Sequence, residues 1–204
     1  MKADGIDALL FDLGRVVIDI DFNRAFARWA KHASCDEALM RGRFAYDAAF
    51  SRHEVGELSG DAYFASLRTS LGIDITNAEL LDGWNAIFVG EMRGISDLLR
   101  RVASKVPVYA FSNSNRAHEA YWSKRFASVL SHFKEIYVSS TIGLRKPDAA
   151  AYEYVVKAIG VPSERIVFFD DNLENIAGAR RCRLQAVHVT SNADVVRALT
   201  RLGL

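Results

Sequence analysis

The fold is decided by the stretch Ala8-Leu9-Leu10-Phe11-Asp12-Leu13-Gly14, in which a run of apolar residues leads into an acid and a glycine. A short apolar run bounded by turn-forming residues is typical of a fully buried β-strand. Similar runs occur at residues 107–111 and 166–169, and weaker ones at 136–139 and 186–189. Strands that are apolar throughout indicate a parallel sheet covered by helices on both faces.

Amphipathic helical patterns separate these strands. Apolar residues recur at three- and four-residue spacing through residues 92–102 and again through 152–159. Gly160 follows the second pattern and Pro162 stands close behind, which is a common way for a helix to end. The alternation predicts the α/β class, with a doubly wound, Rossmann-like parallel sheet as the core.

The alternation stops between residues 21 and 90, where helical spacing continues and no convincing strand appears. Phe22, Phe26, Trp29 and Ala30 fall at positions i, i+4, i+7 and i+8 of one such helix. A single crossover rarely needs roughly 70 residues. We therefore predict that residues 21–90 form an all-helical cap, and that residues 1–20 and 91–204 form the core. The alternative is that these helices pack on the sheet as ordinary crossovers.

The composition is that of a globular protein with balanced charge. Half of the 204 residues are hydrophobic, and 26 Lys and Arg against 25 Asp and Glu give a formal net charge of +1. This excludes a disordered chain and argues against a nucleic-acid partner, which requires a basic surplus. Cys35 and Cys182 form no disulfide framework, and neither a signal peptide nor an apolar run of about 18 residues is present. We expect a cytoplasmic protein with no membrane partner.

Polar residues follow the predicted strands at the point where each ends. Asp12 follows the first strand, Ser112-Asn113 the second and Asp170-Asp171 the fourth, while Lys146 precedes a helix. The carboxyl ends of parallel strands line one crevice, so these side chains should converge there. Adjacent buried acids are costly without a cation, and Mg²⁺ prefers carboxylates, water and phosphate as ligands.

The order of these motifs resembles that of the haloacid dehalogenase superfamily. Phe-Asp-Leu-Gly comes first, followed by Phe-Ser-Asn, Arg-Lys-Pro-Asp and Phe-Phe-Asp-Asp-Asn, and together they span nearly the whole chain. Within the superfamily the sequence is most similar to bacterial α-D-glucose-1-phosphate phosphatases. The similarity lies at residues 11–14, residues 18–22 and the loop 112–116.

The resemblance implies catalytic roles for the matching residues. Asp12 would attack phosphorus and form an aspartyl-phosphate, while Lys146 would neutralise the charge between this nucleophile and the phosphate. Ser112 and Asn113 would hold the phosphoryl oxygens, through hydroxyl and amide hydrogen bonds. Arg116, in the loop shared with the sugar phosphatases, would contact the substrate.

The resemblance also implies a Mg²⁺ site as the cofactor site. Its ligands would be the carboxylates of Asp12 and Asp171 and the backbone carbonyl of Gly14. Asp170 and Asn175 would fix these ligands from behind.

Position 14 departs from the phosphatases of the family, which carry a second Asp two residues after the nucleophile. That Asp protonates the leaving alcohol and then activates water, a contribution of about 10²- to 10⁴-fold in rate. Because Gly14 has no side chain, we predict a substrate with a good leaving group, such as the anomeric hydroxyl of a sugar 1-phosphate like glucose 1-phosphate. Asp19, Asp21 and His53 are candidates for activating water, and the sequence does not choose among them.

Two other functions stay open. A metal-independent 2-haloacid dehalogenase also lacks the second acid, because halide leaves unprotonated, but Asp170-Asp171 would then be an unexplained repulsion. The other is a catalytically degenerate relative that only binds or regulates. Such a protein would not need the nucleophile, the lysine, the Ser-Asn pair and the metal-binding acid together. The sequence favours a Mg²⁺-dependent phosphatase of small phosphorylated metabolites, acting as a monomer or weak homodimer.

Substrate choice is expected to fall to the cap and to the segment that leads into it. The candidates are polar or aromatic residues within otherwise apolar helical patterns: Asp19, Asp21, Arg24, His53, Glu57 and Trp84. The alternative for each is a solvated charge or, for the tryptophan, a place in the core.

Overall fold

The computed structural model describes residues 5–204. The strands are β1 (Ala8–Phe11), β2 (Ile18–Ile20), β3 (Phe88–Glu91), β4 (Val108–Ser112), β5 (Glu135–Val138), β6 (Ile166–Asp170) and β7 (Gln185–His188). The helices are α1 (Asn23–Ala33), α2 (Glu37–Arg43), α3 (Ala48–Glu54), α4 (Gly60–Leu71), α5 (Asn77–Ala86), α6 (Ile95–Ala103), α7 (Arg116–Arg125), α8 (Ala127–Leu130), α9 (Ser139–Ile142), α10 (Ala149–Ile159), α11 (Leu173–Arg181) and α12 (Asn192–Arg201). None of these helices has both the length and the apolar composition of a membrane span.

Five parallel strands form the central sheet in the order β5-β4-β1-β6-β7. Strand β1 is in the middle, where Leu9 is in register with Val108 of β4 and Val167 of β6. The chain leaves β1 towards β4 on one side and later returns to β6 on the other. The end of β1 is thus the switch point at which a doubly wound sheet opens a crevice, as the sequence predicted.

Alternate side chains of the strands enter two different apolar cores, because successive residues of a strand point to opposite faces. Leu9 and Phe11 belong to a core shared with α6 and α12, whereas Ala8 and Leu10 belong to a core shared with α10 and α11. Phe11 also stacks on Phe169 with the ring centroids 4.5 Å apart. Burial on both faces explains why the strands are apolar throughout.

Helices α1–α5 form a block between β2 and β3, which pair as an antiparallel ribbon. Trp29 and Trp84 stack in this block with centroids 5.9 Å apart. The prediction of no strand within residues 21–90 was wrong at its end, because β3 begins at Phe88. A four-residue strand whose partner lies across the whole insertion carries little local signal. We propose that the cap comprises residues 21–90 and that the core comprises residues 1–20 and 91–204.

Candidate active site

A cavity of about 490 Å³ lies where the loops after β1, β4 and β6 meet the helical insertion. The cavity is lined by most of the residues that the sequence singled out: Asp12, Gly14, Ser112, Asn113, Lys146, Asp171 and Asn175. Asp170 lies beneath them and is fully buried. The parallel sheet therefore brings together residues that are up to about 160 positions apart in the chain.

Lys146 is the cation at the floor of this cavity, with 1% of its surface exposed. Its Nζ donates hydrogen bonds to Oδ1 of Asp12 and to Oδ2 of Asp170, each at 2.7 Å. The ammonium also lies 5.2 Å from the ring centroids of Phe111 and Phe168. Burial lowers the pKa of Lys146, but the two carboxylates outweigh burial and raise it, so the lysine is charged.

Three carboxylates crowd around this lysine. One oxygen each of Asp12, Asp170 and Asp171 lies within 4.8 Å of the others. Burial and the neighbouring acids raise the pKa of Asp12 to about 7, although the charge of Lys146 lowers it. The pKa of Asp171 is also raised, by burial and by Asp170. Lys146 bonds two of these acids, and the exposed Arg15 lies 3.8 Å from Asp171, so two cations face three carboxylates. Hard oxygen ligands this close together are a set that fits a divalent cation such as Mg²⁺.

Asp170 is held by the first turn of α11. Its Oδ1 accepts a hydrogen bond from the backbone N–H of Asn172 at 2.8 Å, and Nδ2 of Asn175 lies 3.1 Å from each of its two oxygens. With Lys146 on the same carboxylate, Asp170 cannot rotate freely. The structure thus places Asn175 against Asp170, where the resemblance implied a supporting role.

Asn113 has a different partner from the one expected. Its Nδ2 donates to the backbone carbonyl of Lys146 at 2.8 Å, and its Oδ1 accepts from the backbone N–H of Lys146 at 2.9 Å. The amide therefore holds the segment that carries Lys146, a contact that the sequence did not predict, while Asn113 also lines the cavity. Ser112, which also lines the cavity, keeps a position suited to holding phosphoryl oxygens.

Arg116 does not line the cavity, contrary to the expectation that it contacts the substrate. It is the exposed first residue of α7. Asn115 caps the helix by accepting a hydrogen bond from the backbone N–H of His118 at 3.0 Å. This arrangement turns His118 inward, where its Nε2 lies 2.9 Å from the carbonyl oxygen of Trp84 in the helical insertion. Burial lowers the pKa of His118 to about 3, so this contact is made by a neutral ring.

The wall that the helical insertion contributes was only partly foreseen. Of the predicted candidates, Trp84 lines the cavity and is fully buried. Asp19, Asp21, His53 and Glu57 are not among the lining residues, and Arg24 belongs to a separate groove. Lining residues that the sequence did not suggest include Tyr46, Phe50 and Glu54 from the insertion, and Arg15, His118 and Arg145 from the core.

Glu54 and Arg145 form an ion pair across the cavity wall. Oε2 of Glu54 lies 3.0 Å from a terminal nitrogen of Arg145, close enough for strong attraction although the two groups are not aligned as a hydrogen bond. Burial raises the pKa of Glu54, while Arg145 and Lys146 lower it. No sequence pattern predicted this pair, because an acid at a helix end, two residues before Gly56, is typical of a solvated residue.

Comparisons with known proteins agree with this arrangement. The sequence model of one family, described as hydrolase, haloacid dehalogenase-like hydrolase, matches residues 6–183. A D-ribitol-5-phosphate phosphatase of Bacteroides thetaiotaomicron is 24% identical over 200 residues, covering 96% of this chain and 97% of that protein. A haloacid dehalogenase family enzyme of the same organism, solved with magnesium and inorganic phosphate, superposes with a TM-score of 0.80 at 23% identity. That match covers 92% of this chain and 96% of the other.

One relative is much longer than this chain. The drimenol cyclase DrtB of Aspergillus calidoustus is 28% identical over 203 residues, which is 97% of this chain but 36% of the cyclase.

Proposed function

The chain belongs to the haloacid dehalogenase-like hydrolases, and we propose that within this family it is a Mg²⁺-dependent phosphatase of small phosphorylated metabolites. The observation that carries the proposal is the cluster of Asp12, Asp170 and Asp171 around the buried Lys146. Phosphoryl transfer needs an in-line nucleophile and concentrated positive charge more than it needs other covalent machinery. This cluster offers the nucleophile, the lysine and a place for the metal.

Asp12 and Asp171, with the backbone carbonyl of Gly14, would hold Mg²⁺, which supplies positive charge beside the phosphoryl group when bound. Asp12 attacks phosphorus and becomes an aspartyl-phosphate. Lys146 holds Oδ1 of Asp12 in one orientation and offsets the charge of the approaching phosphate. Ser112 donates to a phosphoryl oxygen, and Asn113 keeps Lys146 in place through its backbone.

We propose a sugar 1-phosphate as the substrate. A sugar 1-phosphate such as glucose 1-phosphate fits the absence of an acid at Gly14, because an anomeric hydroxyl leaves more easily than an ordinary alcohol. The Bacteroides relative is named for ribitol 5-phosphate, which is also a small phosphorylated metabolite but carries its phosphate on an ordinary alcohol. Tyr46, which is exposed at the cavity wall, offers an aromatic surface on which the carbon face of such a molecule can stack.

A metal-independent dehalogenase is the second candidate, and the acid cluster disfavours it. Without a metal, the three clustered carboxylates would have only Lys146, which bonds Asp12 and Asp170, and the exposed Arg15, 3.8 Å from Asp171, to offset a repulsion that would have no function. We also propose that the protein is cytoplasmic. We propose that it is a monomer or weak homodimer, and sedimentation at several protein concentrations would measure this oligomeric state.

The proposed function is tested by phosphate release from p-nitrophenyl phosphate and from paired sugar 1- and 6-phosphates, with Mg²⁺ or with chelator. We expect release with Mg²⁺ alone, faster from 1-phosphates, and a fall of about 10³-fold or more in Asp12→Asn. Asp97→Asn, which changes an exposed acid of α6, is the matched control. Release by Asp12→Asn at the native rate would refute the nucleophile, and release of halide from 2-haloacids without metal would favour the dehalogenase. Uniformly faster release from 6-phosphates would contradict the leaving-group argument.

A further inference from the structure

Gly14 has no side chain to act as an acid, and the space beside it is narrow. A methyl group at position 14 would lie 3.1 Å from Cδ1 of Ile20, tighter than ordinary contact. Phosphatase chemistry still requires that the leaving oxygen gain a proton and that the attacking water lose one. Another residue of the cavity must therefore carry the proton.

In-line displacement fixes where the leaving oxygen lies and therefore where that residue must reach. The leaving alcohol departs opposite Asp12, and the water that later cleaves the aspartyl-phosphate enters along the same line. Asp12 follows β1 in the core, so both groups lie on the side of the cavity that faces the helical insertion. The lining residues from that side are Phe22, Tyr46, Phe50, Glu54, Trp84, Ile87 and Phe88.

Glu54 is the one carboxylate in this described set. Tyr46 is the other group with an exchangeable proton, but burial raises its pKa further above the physiological range, so it does not serve as a base. His118 lines the cavity from the core, yet Nε2 faces the carbonyl of Trp84 and Nδ1 lies 3.2 Å from Nδ2 of Asn115. Glu174 is exposed in the first turn of α11, beside the acid cluster.

We propose that Glu54 is the proton donor and acceptor that replaces the missing acid at position 14, acting from the helical insertion across the cavity from Asp12. This inference rests on the proposed phosphatase function. It assigns a catalytic role to a residue that neither the motifs nor the sequence spacing suggested.

Three contacts hold α3, and with it Glu54, against the core. The backbone carbonyl of Glu54 accepts a hydrogen bond from Oγ of Ser139 at 2.6 Å. Arg145, paired with the Glu54 carboxylate, also donates to Oγ of Ser51 at 2.8 Å. The chain then turns at Gly56, which has φ +76°, and a methyl group there would lie 2.5 Å from the carbonyl oxygen of Ser140. Glu54 is thus positioned relative to the segment that carries Lys146.

The charges around Glu54 suit a group that must exist in both protonation states. Arg145 and Lys146 favour its ionised form, whereas burial favours its neutral form and prevails in raising its pKa. The other titratable groups that face it are the phenols of Tyr46 and Tyr63. A carboxyl held between these influences can release a proton in one step and recover it in the next.

Glu54 gives up a proton in the first half-reaction and recovers one in the second. Asp12 forms its bond to phosphorus as the bond to the leaving oxygen breaks, and that oxygen takes the proton of the Glu54 carboxyl. Water then attacks the same phosphorus, its proton passes to the Glu54 carboxylate, and the bond to Asp12 breaks to release inorganic phosphate and the free Asp12 carboxylate. Glu54 ends protonated, as it began.

The experiment uses p-nitrophenyl phosphate with Mg²⁺, because p-nitrophenolate leaves without a proton. In Glu54→Gln the first half-reaction should be preserved and the second slowed about 10²- to 10⁴-fold. We expect a burst of about one p-nitrophenolate per enzyme, slow phosphate release, and a phosphoryl group on Asp12 detected by intact-protein mass. With glycerol phosphate, whose alcohol needs a proton to leave, the burst should be absent.

Control variants separate proton transfer from a structural role. Glu57→Gln changes an exposed acid three residues away and should behave as wild type. Ser51→Ala loosens the Arg145 contact but keeps the carboxylate, so it should show no burst. If Glu54→Gln unfolds, as a thermal melt would reveal, Glu54→Asp keeps a charge beside Arg145 while withdrawing it by one methylene, and should give a smaller burst of the same kind.

Native phosphate release by Glu54→Gln would overturn the inference and leave the phosphatase function standing. So would a raised KM with unchanged kcat, which is the signature of a residue that binds substrate uniformly. A burst in Ser51→Ala equal to that in Glu54→Gln would also overturn it, because the contact and not the carboxylate would then matter. If the wild-type protein with Mg²⁺ releases no phosphate from any of these esters, the proposed function and this inference both fall.

Discussion

Lys146 is buried, and a lysine is stable in such a position only beside compensating charges, because burial of an unpaired ammonium is costly. Its two carboxylate partners and the faces of Phe111 and Phe168 supply that compensation. The same contacts leave the ammonium facing the cavity floor beside the nucleophile. Stability and chemistry therefore depend on one side chain.

Lys146→Met should be inactive and less stable by about 3 to 5 kcal/mol, because it leaves Asp12 and Asp170 buried without their cation. Urea unfolding measures the loss, and Lys157→Met, an exposed lysine of α10, is the control. Adding Asp170→Asn should recover part of the stability, giving a coupling energy of about 0.5 to 3 kcal/mol. Strictly additive losses would contradict the pairing seen here.

Site residues at the ends of strands could be predicted from the sequence. Residues whose role depends on the direction of the side chain were harder to predict. Asp12, Ser112 and Asp171 follow strands, so topology alone brings them to one edge. The amide of Asn113 turns to the backbone of Lys146, a contact across 33 positions that no local pattern encodes. Glu54 becomes a cavity residue through the docking of α3 on the core, which depends on the whole fold.

At the scale of elements, α11 packs closely against the segment that carries the lysine. A methyl group at Gly178 would lie 2.7 Å from the carbonyl oxygen of Pro147 and 2.9 Å from Cε2 of Tyr152. This proximity lets the first turn of α11 hold Asp170 while its middle supports the residue after Lys146. The position of the site thus depends on a glycine in the interior of a helix.

Gly178→Ala should destabilise the protein by about 1 to 3 kcal/mol, because the added methyl group overpacks this contact. It should also lower kcat, since the displaced segment carries Lys146. Gly42→Ala is the matched control, because nothing lies within 4 Å of a methyl group there and alanine in a helix is favourable by about 0.5 to 1 kcal/mol. Equal stability changes in the two variants, measured by urea unfolding, would contradict the packing argument.

The elements themselves were predicted with uneven success for physical reasons. The three inner strands β1, β4 and β6 are buried throughout, so each is apolar enough to be found without its neighbours. The edge strands β5 and β7 are partly exposed, which explains their weaker apolar runs. Strands β2 and β3 form a ribbon of three and four residues whose partners are separated by the helical insertion. Their pairing is a long-range event that local periodicity does not reveal.

Across the whole molecule the charges nearly cancel, with 26 basic and 25 acidic residues, yet the site holds an excess of acid. The folded protein raises the pKa of Asp12 from 3.8 to about 7 and raises that of Asp171, chiefly through burial. A carboxyl whose pKa is higher in the folded state binds more protons there than in the unfolded chain. The stability that it contributes is therefore greatest at low pH and is lost as pH rises from about 4 to about 7.

Metal binding should reverse this loss, because Mg²⁺ binds the ionised carboxylates and not the unfolded chain. We expect the melting temperature of the metal-free protein to fall as pH rises from about 5 to about 8. At the higher pH, Mg²⁺ at a hundred times its Kd should raise the free energy of unfolding by about 2.7 kcal/mol and so restore the melting temperature. At about pH 5 the ion should have little effect, since protons occupy the site. Asp12→Asn should be more stable than wild type without metal at about pH 8 and should respond weakly to Mg²⁺. An equal Mg²⁺ response in both proteins would mean that the ion stabilises the fold elsewhere than at this acid cluster.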